Sequence, residues 1–189
     1  SLLEKMKPPA PDGIARPAES LLRRAAYRGR LAGGAAVIRA DISADVFPTT
    51  PGAYVSLALL PGQVAVREIR LNDLPALIVI RDGRYTVATA KAGPLRIAVD
   101  FALRATGDQV QGISFPVPLT PITTLEFDLP HPGLEVEVPG AQQLEVSGRN
   151  GGTHVFLYQM KDTLGMKKAV DFTPALDGFL WLGEADVNQ

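Results

Sequence analysis

The chain has 189 residues, of which 46% are hydrophobic and 21% charged, with a net charge of −1 and a pI near 6.1. These values fit one globular domain and exclude disorder, a fibrous repeat and the basic field of a nucleic-acid reader. Zero cysteines exclude disulfides, thiolate metal sites and thiol nucleophiles, and fit a periplasmic compartment as well as a cytosolic one.

Residues 1–19 read as an extended arm, because Pro8, Pro9, Pro11, Gly13 and Pro17 resist regular structure. Residues 17–26 (PAESLLRRAA) carry the best helical signal, with Pro17 suited to a first turn and Leu, Arg and Ala suited to propagation. The compact body is expected over residues 20–189 as a single domain.

Ala36, Ile38, Ala40, Ile42, Ala44 and Val46 alternate with Val37, Arg39, Asp41, Ser43 and Asp45, the period of two of a half-buried strand. Residues 54–60 and 63–71 flank Pro61-Gly62, and the apolar phase slips between Val66 and Ile69 as at a β-bulge. Residues 77–80 (LIVI) and 85–89 flank Asp82-Gly83, a pair that readily takes the positive φ of a type I′ hairpin turn.

Residues 92–94 (AGP) turn the chain into the clearest strand, 95–105, where Leu95, Ile97, Val99, Phe101 and Leu103 alternate with Arg96, Asp100 and Arg104. Residues 106–108 turn it back toward 110–115, so that meander follows meander. Pro116, Pro118 and Pro121 mark a sub-boundary or, preferably, a crossing between two sheets of one sandwich.

Residues 134–138 (LEVEV) alternate as a strand, and 142–147 is expected to pair with 153–158 around Asn150-Gly151. Residues 158–171 read as a short helix or a long loop. Residues 178–183 (GFLWLG) form a strand apolar on both sides, either closing the core or adding to a partner's sheet. About ten to thirteen short strands with one or two short helices make the fold all-β, a large antiparallel two-sheet β-sandwich.

The longest apolar runs, 57–60 and 77–80, fall far short of the roughly 20 residues of a membrane-spanning helix, so no transmembrane segment is expected. Two histidines, His131 and His154, cannot supply a three-histidine zinc site. Asp128 and His131, with His154, Glu135 and Glu137, could assemble a mixed metal site, but packed or exposed histidines are the reading preferred. Glu135 and Glu137 share one strand face about 7 Å apart, a spacing open to acid–base work and far commoner on a solvated strand.

No nucleophile elbow, Walker loop or dinucleotide fingerprint occurs. No catalytic residue, cofactor or metal ligand is therefore assigned. Tyr158 and Trp181 could form a small carbohydrate platform or pack in the core. Arg16, Arg23, Arg24, Arg28 and Arg30 could dock an acidic partner or a phospholipid surface, or form a solvated helix face. The candidate interaction residues are thus Phe179, Trp181, Tyr158, Arg23 and Arg24.

The phrases AYRGRLAG (26–33), DGRY (82–85) and AGPLRI (92–97) resemble a broad group of uncharacterised bacterial envelope-associated β-sandwich proteins, over about residues 25–140. The resemblance implies an exported, non-catalytic sandwich whose full-length form carries a signal or membrane anchor, in the periplasm or cell envelope. It transfers no catalytic residue. The function expected is a non-enzymatic structural or protein-interaction domain whose partner is another envelope protein or a glycan. The alternative is a carbohydrate-binding or carbohydrate-processing sandwich.

Overall fold

A computed structural model describes residues 19–105, 113, 115, 117–118, 120–134, 136, 138 and 142–160. The described residues contain strands and no helix. The strands are β1 (Ser20–Ala32), β2 (Ala35–Val46), β3 (Val55–Pro61), β4 (Ala65–Leu71), β5 (Leu74–Pro75), β6 (Ile78–Arg81), β7 (Arg84–Thr89), β8 (Gly93–Arg104), β9 (Ile122–Leu129), β10 (Gln143–Arg149) and β11 (Gly152–Met160). They form an eight-stranded sheet, in the order β10-β11-β9-β1-β2-β8-β4-β5, and a three-stranded sheet, β3-β7-β6. Among the described residues every ladder is antiparallel except the one between β1 and β9. The all-β sandwich expected from the sequence is the observed architecture.

The two sheets share one core. Ile38, Ala40 and Ile42 of β2 and Ile97, Val99 and Phe101 of β8 are buried, and they cluster with Val55, Leu57, Leu59 and Leu60 of β3 and Val87 of β7. Each such Ile, Leu or Phe contributes about 1.5–3 kcal/mol by leaving water. Adjacent Leu59 and Leu60 are both buried because the β3–β7 register slips between Ala58 and Leu60. The slip expected between Val66 and Ile69 is likewise a bulge in the β4–β8 ladder, between Val66 and Glu68.

The helix expected at 17–26 is corrected: from Ser20 onward this segment is strand β1, paired with β2 along its length. A bulge between Leu22 and Arg24 resets the alternation, so the linear sequence imitates helical spacing. Pairing on both sides, to β2 and β9, outweighs a helix propensity worth only tenths of a kcal/mol per residue. Residues 158–160 end β11 rather than begin a helix, and the rest of 161–171 lies outside the described residues.

Three further expectations change. Leu134, Val136 and Val138 join no ladder, although Leu134 and Val138 bury their side chains in the core. The turn at 92–94 does not continue a meander: it carries the chain from β7 in the small sheet to β8 in the large one. The connection before β9 also differs from a simple sheet-to-sheet crossing, because β8 and β9 both belong to the large sheet. Ile113, Phe115 and Val117 within it are buried, and the Phe115 ring meets Tyr27 at 5.5 Å and Phe101 at 5.4 Å, both edge-on. These three side chains therefore pack into the core, and Pro118 and Pro121, outside any strand, lie where no ladder donor is needed.

Candidate functional site

The outer face of the large sheet carries a lattice of charge. Alternation that sends Ile38, Ala40 and Ile42 inward sends Arg39 and Asp41 outward, and Arg28, Asp100 and Glu126 occupy neighbouring strands at matching registers. Arg28 reaches Asp41 at 3.4 Å and Glu126 at 3.8 Å, and Arg39 reaches Asp41 at 3.5 Å and Asp100 at 3.7 Å. These groups are half exposed, so each pair contributes between about 0 and 1 kcal/mol.

Arg23 and Arg24 sit at the β1 bulge of this face, Arg23 paired with Asp45 at 3.3 Å. The basic cluster read from the sequence is therefore laid out on a strand, with Arg23 and Arg28 paired to carboxylates from β2 and β9. Arg16 lies outside the described residues. A depression of about 500 Å³ is lined by Arg28, Arg30, Arg39, Arg67, Asp100 and Asp128. Another, of about 540 Å³, involves Arg24, Arg28, Arg39, Arg96, Asp41 and Asp73. Both are open troughs between side chains of mixed sign, a poor trap for one polyanion.

Tyr158 projects from β11 on the same side as His154 and Phe156, opposite Thr124 of β9 and Gln143 of β10, and is half buried. His154 Nδ1 lies 2.7 Å from Asp128 Oδ1. His131 is exposed in a turn, and its carbonyl accepts a hydrogen bond from Thr153 Oγ1 at 2.8 Å. Among the described residues no group of three or more histidine, aspartate and glutamate side chains could hold a metal ion. Glu135 and Glu137 lie outside the described residues, as do Phe179, Trp181 and the whole of 178–183. Of the two residues of the Tyr158–Trp181 platform expected from the sequence, only Tyr158 is among the described residues.

A second surface has the opposite chemistry. Asn72 and Asp73, both with positive φ, fold β5 back on β4 at the edge of the large sheet, and Ala76 N–H donates to the Ile69 carbonyl at 3.0 Å. The chain then crosses at Leu77 to β6, the end strand of the small sheet. Leu74, Leu77, Ile78, Val79 and Ile80 are exposed, Leu77 at 79% and Ile80 at 61%. β6 pairs with β7 from Ile78–Val87 to Arg81–Arg84, around a turn in which Asp82 and Gly83 have φ of 51° and 71°. Among the described residues its other edge has no ladder partner.

Exposed sheet edges are usually blunted by charge, proline or a bulge. β10, at one end of the large sheet, follows that rule with Gln143, Glu145 and Arg149. β6 has only Arg81 at its end: three consecutive apolar residues present both faces, and among the described residues its outer row of backbone donors and acceptors has no ladder partner. Sequence reasoning identified this strand and its turn but missed its exposure. The available signal was the unbroken apolar run, which lacks the alternation of a strand with one wet face.

No known family matches the sequence, and no curated protein does. Among solved structures, an M1 zinc metallopeptidase from Deinococcus radiodurans matches at TM-score 0.48 and 11% identity, over 75% of this chain and 39% of that one. A point mutant from the same organism matches at 10% identity, and a two-domain M1 zinc metallopeptidase mutant bound to L-arginine at 12%, with the same score and coverage. This chain spans 39% of the length of those chains. Likeness at this level carries no inference about activity or ligand. Among the described residues no helix is long and apolar enough to cross a membrane.

Proposed function

We propose that the chain is a non-enzymatic, protein-interaction β-sandwich domain of the bacterial cell envelope, which takes an extended partner strand along β6. The observation that carries this reading is the exposed Ile78-Val79-Ile80 edge at the end of the three-stranded sheet. Strand addition satisfies the open backbone groups, and alternate apolar side chains supply the specificity. The adjoining Leu74 and Leu77 enlarge the apolar rim and give an incoming strand a shoulder to pack against. The envelope assignment rests on the resemblance of residues 25–140 to envelope-associated sandwiches.

Site-specific photo-cross-linking in cells tests the reading. A benzoylphenylalanine at position 79 is expected to form a discrete protein adduct that fractionates with the envelope, whereas one at position 39, on the charged face, forms none. Adducts from position 39 alone would contradict the proposed surface. Recovery of the protein solely in the cytosolic fraction would contradict the compartment.

A further inference from the structure

We infer that the outer face of β9, β11 and β10 is a binding platform for a neutral, extended polysaccharide of β-1,4-linked pyranose units, with His154, Phe156 and Tyr158 as its stacking row. The surface is separate from β6, so the inference goes beyond the strand-addition reading and stands independently of it. The three rings are alternate residues of β11, and they lie on the face turned away from the core, since Val155 and Leu157 between them are buried in it. All three are half-buried, on a sheet face that elsewhere presents charged side chains such as Arg28, Arg39 and Asp100. At about 3.3 Å per residue the row extends roughly 13 Å along the strand.

Every ring of the row is flanked, on both neighbouring strands, by a side chain that hydrogen-bonds. The ladders set Ser147 and Asp128 beside His154, Glu145 and Glu126 beside Phe156, and Gln143 and Thr124 beside Tyr158. Directly opposed residues share a face, so rings and polar groups form one surface. Two of the polar contacts are already made: Asp128 Oδ1 lies 2.7 Å from His154 Nδ1, and Gln143 Nε2 donates to Glu145 Oε1 at 2.6 Å. A pyranose unit has the matching chemistry, with C–H faces that stack on flat rings and a rim of hydroxyls for carboxylates, amides and hydroxyls. The straight row selects β-1,4 linkage, which makes a flat ribbon with its pyranose faces in line. The carboxylates of Asp128, Glu126 and Glu145 border the row and repel an acidic polymer. An extended peptide is disfavoured too, because the backbone of β11 is paired on both sides and recognition falls to side chains.

Isothermal titration of the purified chain with chitohexaose and with cellohexaose tests the platform, with polygalacturonate as the acidic comparison. Saturable binding of at least one of the two oligosaccharides is expected, and none of polygalacturonate. Phe156→Leu and Tyr158→Leu keep an apolar side chain at a half-buried position but remove the ring; each is expected to weaken binding about tenfold or more. Their circular dichroism spectra are expected to match the parent's. Phe156→Trp restores a stacking ring and is expected to bind as the parent does, which separates loss of stacking from loss of packing. Val79→Lys, on β6, is likewise expected to bind as the parent does. Absence of saturable binding to both oligosaccharides overturns the platform. Equal binding by the parent and both leucine variants overturns it, as does equal affinity for polygalacturonate. The β6 reading is untouched by any of these results, since it is read from the cross-links at position 79.

Discussion

Gly29 of β1 faces the ring of Phe127 across the parallel β1–β9 ladder, and a Cβ at position 29 would lie 2.7 Å from Phe127 Cε2 and 2.9 Å from Ile38 Cγ1. Both neighbours belong to the core. Glycine is therefore required here by the approach of two buried side chains, not by a turn. Gly29→Ala is expected to destabilise the fold by about 1–3 kcal/mol through overpacking, measured by denaturant unfolding. Phe127→Leu placed in the same chain should recover part of that loss, and strict additivity of the two changes would contradict the contact.

Tyr27 carries a buried hydroxyl with no hydrogen-bond partner among the described residues, in a side chain 1% exposed. Its ring, packed edge-on against Phe115, supplies the stabilisation, while its oxygen has lost water without replacement. Tyr27→Phe is expected to cost nothing and to gain up to about 1 kcal/mol. A measured loss of comparable size would show that the hydroxyl is satisfied.

The same phenol sets an alkaline limit. Burial pushes its pKa up from the ordinary 10.0. Above pH 10 the unfolded chain has released a proton that the folded chain retains, so stability is full below that value and falls as pH rises, by at most about 1.4 kcal/mol per pH unit for one group. Urea unfolding between pH 9 and 11 should show this decline in the parent and a shallower one in Tyr27→Phe. Parallel pH profiles for the two proteins would contradict the assignment.

Apolar residues of equal hydrophobicity should divide sharply by place. Phe101, 1% exposed against Phe115, is expected to cost about 3–5 kcal/mol when replaced by alanine. Ile80, 61% exposed on β6, is expected to change monomer stability by no more than about 0.5 kcal/mol when replaced by threonine. Thermal unfolding at a concentration low enough to keep the chain monomeric compares them. A large loss at Ile80 would place β6 in the core.

What was legible in the sequence was local. The Asp82-Gly83 and Asn150-Gly151 turns, with the strands on either side, follow from dipeptides that accept positive φ. The alternation in 36–46 and 95–105 follows from one wet face and one dry face. Strand β1 was hidden because its bulge near Arg23 breaks the period of two. β9 was legible and overlooked, since Thr123, Leu125, Phe127 and Leu129 alternate with Thr124, Glu126 and Asp128; only its parallel pairing with β1, with seven strands between them in sequence, was beyond any local window. The allocation of successive strands to two sheets was hidden too, since the short turn before β8 looks like a hairpin and is a crossing. The candidate site was least legible. Whether Ile78-Val79-Ile80 is core or surface depends on β6 being last in its sheet, a property of the assembled order that no window of residues contains.

Hydrogen exchange at the β6 backbone tests the central claim, that this edge is covered in the working protein. The parent and Val79→Lys are to be recovered natively from cells and compared at the amides of residues 78–81. Those that point away from β7 are predicted to be as protected as the β7 amides in the parent and to exchange freely in the variant. Equally fast exchange in both proteins, with β7 and β8 protected, would leave β6 an uncovered edge and contradict the account.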